Sequence, residues 1–326
     1  MKPAFLLVFC AALAWPQSST TVYTKDLNGN RVAAQSFSAT DDDRTERFQS
    51  INGRQVPLEQ VVDRVVRDDA NGKVTERTLR KFNREGQLAA TEHVMIEENK
   101  LPGGGFLVRE TTYRSDLNGG LREAERKTTE KRVNGSTTTA STVIEQPTMN
   151  GSFETIEKRS AVTDGPADNQ QTTESVYRRS LSGGFQEALR NVKTTSKQTD
   201  ATRETIANYE PGMNGQLQLA SQSESTSTKQ PDGTEITQTN LFAHTVAGVL
   251  QDNTAAMRVK EQQIVERRKN PDGTVVETFS VRRPSVSDPN RLGALQKLSE
   301  TVCKGKCEPE SKPAEPAKPA VDAAKL

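Results

Sequence analysis

Apolar side chains in this chain recur at fixed distances from glycines. Gly119, Gly151, Gly183 and Gly215 stand 32 residues apart, with Gly248 33 residues further on and Gly86 33 before Gly119. The flanks agree: Tyr113-Arg-Ser-Asp-Leu-Asn-Gly-Gly-Leu121, Tyr177-Arg-Arg-Ser-Leu-Ser-Gly-Gly-Phe185 and Tyr209-Glu-Pro-Gly-Met-Asn-Gly-Gln-Leu217. All four tyrosines lie six residues before such a glycine, Tyr23 before Gly29 included, and Phe242 holds the same place before Gly248.

A second set of turn signals falls between these: Asn134-Gly135, Asp164-Gly165, Asp232-Gly233 and Asp272-Gly273. Asn-Gly and Asp-Gly favour tight hairpins, because the central residues must tolerate positive φ. Each repeat therefore reads as strand, turn, strand, turn, and consecutive hairpins make an antiparallel meander. The pattern predicts an all-β array over residues 20–286, roughly 16 strands by turn spacing, forming an extended sheet or a sheet curled on itself. With Asn118-Gly119-Gly120 as a three-residue loop, Leu117 faces Leu121. The same construction pairs Met149 with Phe153, Leu181 with Phe185, Met213 with Leu217 and Val246 with Leu250, which gives an apolar stripe on the tyrosine face.

Three segments differ. Residues 1–14 have the layout of a secretory signal: Lys2, an apolar run from Ala4 to Leu13, and a small-x-small cleavage pattern. Asp288 to Leu298, with Asp288 as cap and leucines at i, i+3 and i+6, predicts a short helix within 287–302. Residues 303–326 carry Cys303, Cys307 and then Pro309, Pro313, Pro316 and Pro319, which predicts a disordered tail. The valines of Arg54–Asp69 fit either a helix or a strand, and the following Asn71-Gly72 favours strand.

Composition narrows the function. Only 32% of the 326 residues are hydrophobic and 27% are charged, which excludes a large α/β enzyme with a thick core. Loss of residues 1–14 removes one base, Lys2, and leaves 43 charges of each sign. No basic footprint remains for nucleic acid. Export favours a disulfide between Cys303 and Cys307. The only histidines, His93 and His244, are far apart, so no metal or cofactor is expected.

No nucleophile, base or phosphate loop is visible, and no enzymatic activity is expected. The row Tyr113, Tyr177, Tyr209 and Phe242 is the one candidate ligand surface, suited to sugars or peptides because aromatic rings pair an apolar body with a wet end. Charge of both parities, as in Arg122-Glu123-Ala124-Glu125-Arg126-Lys127, argues against lipid contact and predicts a chain that does not span a membrane.

The hairpin motif resembles the tyrosine-aspartate repeats of large secreted shell-forming proteins, which also place Tyr before a glycine turn followed by Leu. The resemblance covers that motif alone; regular Tyr-Asp pairing and great length are missing, and no function follows from it. The sequence thus predicts an exported periplasmic or cell-surface protein, structural or adhesive, with a cell-wall glycan or envelope protein as partner. The alternatives are a carbohydrate- or peptide-binding module and, second, an outer-membrane β-barrel.

Overall fold

The computed structural model describes residues 18–25, 30–41, 43–51, 54–116, 120–180, 183–212, 214–244, 257–285, 288 and 291–304. The predicted signal segment, Cys307 and the proline-rich tail lie outside them. The strands are β1 (Ser18–Lys25), β2 (Arg31–Asp41), β3 (Arg44–Ile51), β4 (Arg54–Asp68), β5 (Gly72–Phe82), β6 (Leu88–Leu101), β7 (Gly105–Ser115), β8 (Leu121–Asn134) and β9 (Thr137–Pro147). They continue as β10 (Phe153–Asp164), β11 (Asn169–Arg179), β12 (Phe185–Lys197), β13 (Ala201–Pro211), β14 (Leu217–Lys229), β15 (Glu235–His244), β16 (Met257–Lys269), β17 (Val275–Arg282) and β18 (Gln296–Lys304).

Every strand pairs antiparallel with its neighbours in sequence, and β18 pairs with β1 from Ser19↔Lys304 to Thr24↔Ser299. The meander is thus a closed 18-stranded barrel. This confirms the antiparallel hairpin array and corrects the extended sheet. It also overturns the expectation of a chain that does not span a membrane: a sheet closed on itself has no free strand edge, which is the β form that bilayers accept. The extended spacer or adhesive array loses its structural basis with it.

The predicted helix is replaced by β18. Leu298 lies within the strand, and Leu292 sits before it in a bridge to Pro284. An isolated helix of that length is marginal in water, whereas an eighteenth strand satisfies the free edges of both β17 and β1. Arg54–Asp68 is a strand, as its valines and turn favour.

The hairpin register differs from the predicted one by a single residue. Thr148 N–H donates to the Ser152 carbonyl at 2.8 Å, and Gly151 N–H to the Thr148 carbonyl at 2.9 Å. The loop is therefore Met149-Asn150-Gly151, with Gly151 last at φ 78° instead of in the middle. This is a type I turn followed by a left-handed residue. The pairs Ser180–Gly184 and Gly212–Gln216 close the same way, with Gly183 and Gly215 in the glycine position, and Asp116 N–H likewise reaches the Gly120 carbonyl. Phe153 consequently faces Pro147, Phe185 faces Arg179, Leu217 faces Pro211 and Leu121 faces Ser115. The predicted pair of Met149 with Phe153 does not form, Met149 being fully exposed at the tip, while Leu117, Leu181, Met213, Val246 and Leu250 of the other predicted pairs lie outside the described residues.

Just past each of these turns the incoming strand takes in one extra residue. Nine such positions, Ala34, Leu58, Ala89, Ala124, Ile156, Ala188, Ala220, Lys260 and Leu298, fall one on every even-numbered strand, and β2 and β4 each have a further register shift near their other ends. All nine lie toward one end, the glycine end; β1 begins and β18 finishes at the other, the terminal end. Such bulges raise the local twist of a pair and help a sheet to curl.

The described residues form no packed core inside the barrel. Among the described residues only four apolar side chains are buried: Val56, Val176, Leu219 and Val281. Stability therefore rests on the continuous ladder and on cross-strand pairs, each contributing about 0.2–1 kcal/mol.

Candidate functional site

The two faces of the wall can be told apart by exposure. Along β10 beyond its bulge, Glu157, Arg159, Ala161 and Thr163 are half-buried while Lys158, Ser160, Val162 and Asp164 are exposed. Side chains converge on the concave side of a closed sheet and diverge on the convex side, so the half-buried set lines the lumen. The same alternation continues on β14, where Glu224, Thr226 and Thr228 are exposed and Ser225 and Ser227 are not.

Polar side chains that satisfy one another line this lumen. Hydroxyls of paired strands meet at 3.0 Å in Thr129–Thr142 and at 2.8 Å in Thr163–Thr172, Ser225–Thr239 and Ser227–Thr237. Lys127 Nζ lies 2.9 Å from Glu110, Glu157 takes Arg159 Nε at 2.7 Å and Arg178 Nε at 3.0 Å, and Lys193 pairs with Glu204. Pairing lets the charges line the wall close together without leaving any of these carboxylates alone.

The bulge resolves the mixed parity of residues 122–127. With Ala124 as the extra residue, Arg122, Glu125 and Lys127 pair with Arg114, Thr112 and Glu110 on the lumenal face, while Glu123 pairs with Tyr113 and Arg126 with Thr111 on the other. Glu123 and Arg126 then form their own ion pair at 2.6 Å.

That outer face carries an aromatic rim at the glycine end. On seven of the nine odd-numbered strands, the residue at the register step is a ring: Tyr23, Phe48, Phe82, Tyr113, Tyr177, Tyr209 and Phe242. All seven are half-buried. Phe153 and Phe185, from even strands, join the same face. Cations stack on three rings, with Arg31 3.8 Å above Tyr23, Arg126 3.9 Å above Phe153 and Lys158 4.5 Å above Phe185.

The four predicted site residues thus share one face and one end. Tyr177, Tyr209 and Phe242 stand on successive odd strands, and Tyr113 is separated from them by β9, which has no ring at that place. The sequence reading missed Phe48 and Phe82 as members of the row because they stand five and four residues before Gly53 and Gly86 instead of six. Cys303, at the end of β18, is disulfide-bonded. The two histidines are held apart, His93 on β6 with its Nδ1 3.4 Å from the Thr78 hydroxyl, and His244 on β15 with Nε2 2.5 Å from the Leu219 carbonyl.

Fold and wall together define the class: a hollow antiparallel β-barrel with a polar lumen and an aromatic rim at one end. Solved structures of similar form include a double mutant of the Rh. blastica porin, at 6% identity and a TM-score of 0.48, covering 89% of this chain and 98% of that one. Salmonella typhi OmpF in complex with daunomycin matches at 8% identity and 0.44, over 89% and 96%. OmpT, an outer membrane protein of Vibrio cholerae, matches at 7% and 0.33, over 89% and 97%. No family model matches the sequence, and no curated protein does.

Proposed function

We propose that the chain forms an outer-membrane β-barrel enclosing a water-filled passage for small polar solutes. The observation that carries this reading is closure around a lumen lined by mutually satisfied hydroxyls and ion pairs, with no packed core among the described residues. A rim of outward aromatic rings capped by cations suits the boundary between lipid tails and headgroups, where amphipathic rings settle. The outer face also exposes Arg203, Glu224 and Glu266, and a basic side chain at the bilayer midplane costs about 2–4 kcal/mol. Insertion is therefore the decisive measurement. Purified full-length chain added to a planar bilayer is expected to give stepwise ion conductance, and the cellular protein to fractionate with the outer membrane. Recovery in the soluble periplasmic fraction, together with a silent bilayer, overturns the proposal.

A second reading keeps the rim as a binding surface for extended glycans or peptides, favoured by Tyr177, Tyr209 and Phe242 standing on one face at intervals of two strands, about 9.6 Å. Replacing these three by Ala is expected to abolish binding to cell-wall glycan fragments; unchanged binding disposes of it.

A further inference from the structure

We propose that the bore of this barrel is set in whole hairpin units, so that removing or duplicating one 32-residue segment between equivalent points leaves a closed barrel two strands smaller or larger. Three independent features repeat with the same spacing. The turns Thr148–Ser152, Ser180–Gly184 and Gly212–Gln216 close with the same hydrogen bonds. The strands they feed begin at Phe153, Phe185 and Leu217, and each takes in its extra residue three positions later, at Ile156, Ala188 and Ala220. Arg126 caps Phe153 as Lys158, 32 residues on, caps Phe185.

Excision of residues 153–184 joins Ser152 to Phe185. Phe185 then takes the place of Phe153 opposite Pro147, Ala188 takes that of Ile156, and Arg126 comes to lie over Phe185. The strand alternation stays in phase, so every lumenal side chain remains lumenal. Each remaining strand steps about 22° instead of about 20° around the barrel axis, a small increase in curl of the kind that bulges allow. Stability of such arrays is a sum of like units and their interfaces, which is why one unit can be lost without loss of the whole.

The test needs no assumption about membranes. Thr24→Cys and Ser299→Cys stand opposite one another across the seam that closes the barrel, and their disulfide reports closure. In the full chain lacking residues 153–184 this disulfide is expected to form to the same extent as in the parent, with β-type circular dichroism retained. A chain lacking residues 153–183 is one residue out of phase and is expected to lose it. Duplication of 153–184 supplies a second in-phase variant. If the in-phase deletion and the duplication both fail to close, or if the out-of-phase deletion closes equally well, the proposal is wrong. Where the chain also conducts, the shortened barrel is expected to pass about a fifth less current, since diameter grows linearly with strand number; conductance unchanged in a shortened chain that has closed would mean that strand number does not set the bore.

Discussion

At the scale of single residues, the glycines fall into two kinds that the sequence writes identically. Gly151 has φ 78° and open space where a Cβ would be, so its requirement is conformational. Gly151→Ala should cost about 1–2 kcal/mol, the penalty of a left-handed L-residue. Gly72 is different: a Cβ there would lie 1.9 Å from the Glu98 carbonyl oxygen of the neighbouring strand. Gly72→Ala must push two strands apart and should lower the unfolding midpoint well beyond Gly151→Ala; equal midpoints would show that the close approach is unimportant.

The acidic turns at the terminal end give a pH prediction. Backbone and hydroxyl hydrogen bonds from Thr234 hold the Asp232 carboxyl below the ordinary carboxylate range, and the Thr274 hydroxyl and N–H do the same for Asp272. A carboxyl whose folded pKa is depressed stabilises fully above its unfolded value of about 3.9 and loses that contribution as pH falls through the lower folded value. Both turns should therefore hold at neutral pH and loosen only in stronger acid. Carboxyl carbon shifts followed by NMR should titrate below the ordinary carboxylate range at both positions, and Asp232→Asn with Asp272→Asn should flatten the acid limb of the unfolding profile.

At the scale of elements, the bulge is the device that sequence periodicity could not reveal. Two-residue alternation holds on either side of Ala188, but the extra residue exchanges the faces between them, so Glu187 and Arg190 share a face and pair at 2.7 Å despite opposite parity. Deleting Ala188 should make the ladder regular, with Glu187 still opposite Tyr177 and Leu189 opposite Val176, so that Phe185 and Glu187 keep the outer face and the strand loses the extra twist that helps the sheet to curl. It should destabilise more than Ala188→Gly, which costs about 0.5–1 kcal/mol; thermal unfolding of the two variants decides. The 32-residue period, the turns and the meander were legible, because Gly, Asn and Asp mark them locally. The register was not: a glycine is allowed at more than one place in a three-residue loop, and one step of error paired Met149 with Phe153. The helix over Asp288–Leu298 was misread because leucines at i, i+3 and i+6 also arise when a loop leads into a bulged strand, as at Leu298.

At the scale of the whole molecule, closure depends on one pairing, β1 with β18, that no local signal records. Ser and Thr are prominent in this seam, and its side-chain clamp lies at the glycine end. Arg31 on β2 reaches across β1 to Glu300 on β18 at 2.5 Å, covering the Tyr23 ring between them, and Lys297 Nζ meets the same carboxylate at 2.5 Å. Arg31 is half exposed, at 54%, so the ion pair is screened and worth less than about 1 kcal/mol; the stacked ring adds about 0.5–1 kcal/mol. Small as they are, these contacts bear on the one pair of strands whose separation opens the barrel. Replacing Arg31 and Tyr23 together by Ala should therefore speed hydrogen exchange at the β1 amides of Thr21 and Val22 severalfold while leaving the β10–β11 ladder unchanged. Uniform acceleration around the barrel would mean that the seam opens only with the whole sheet, and that closure is held by the ladder alone.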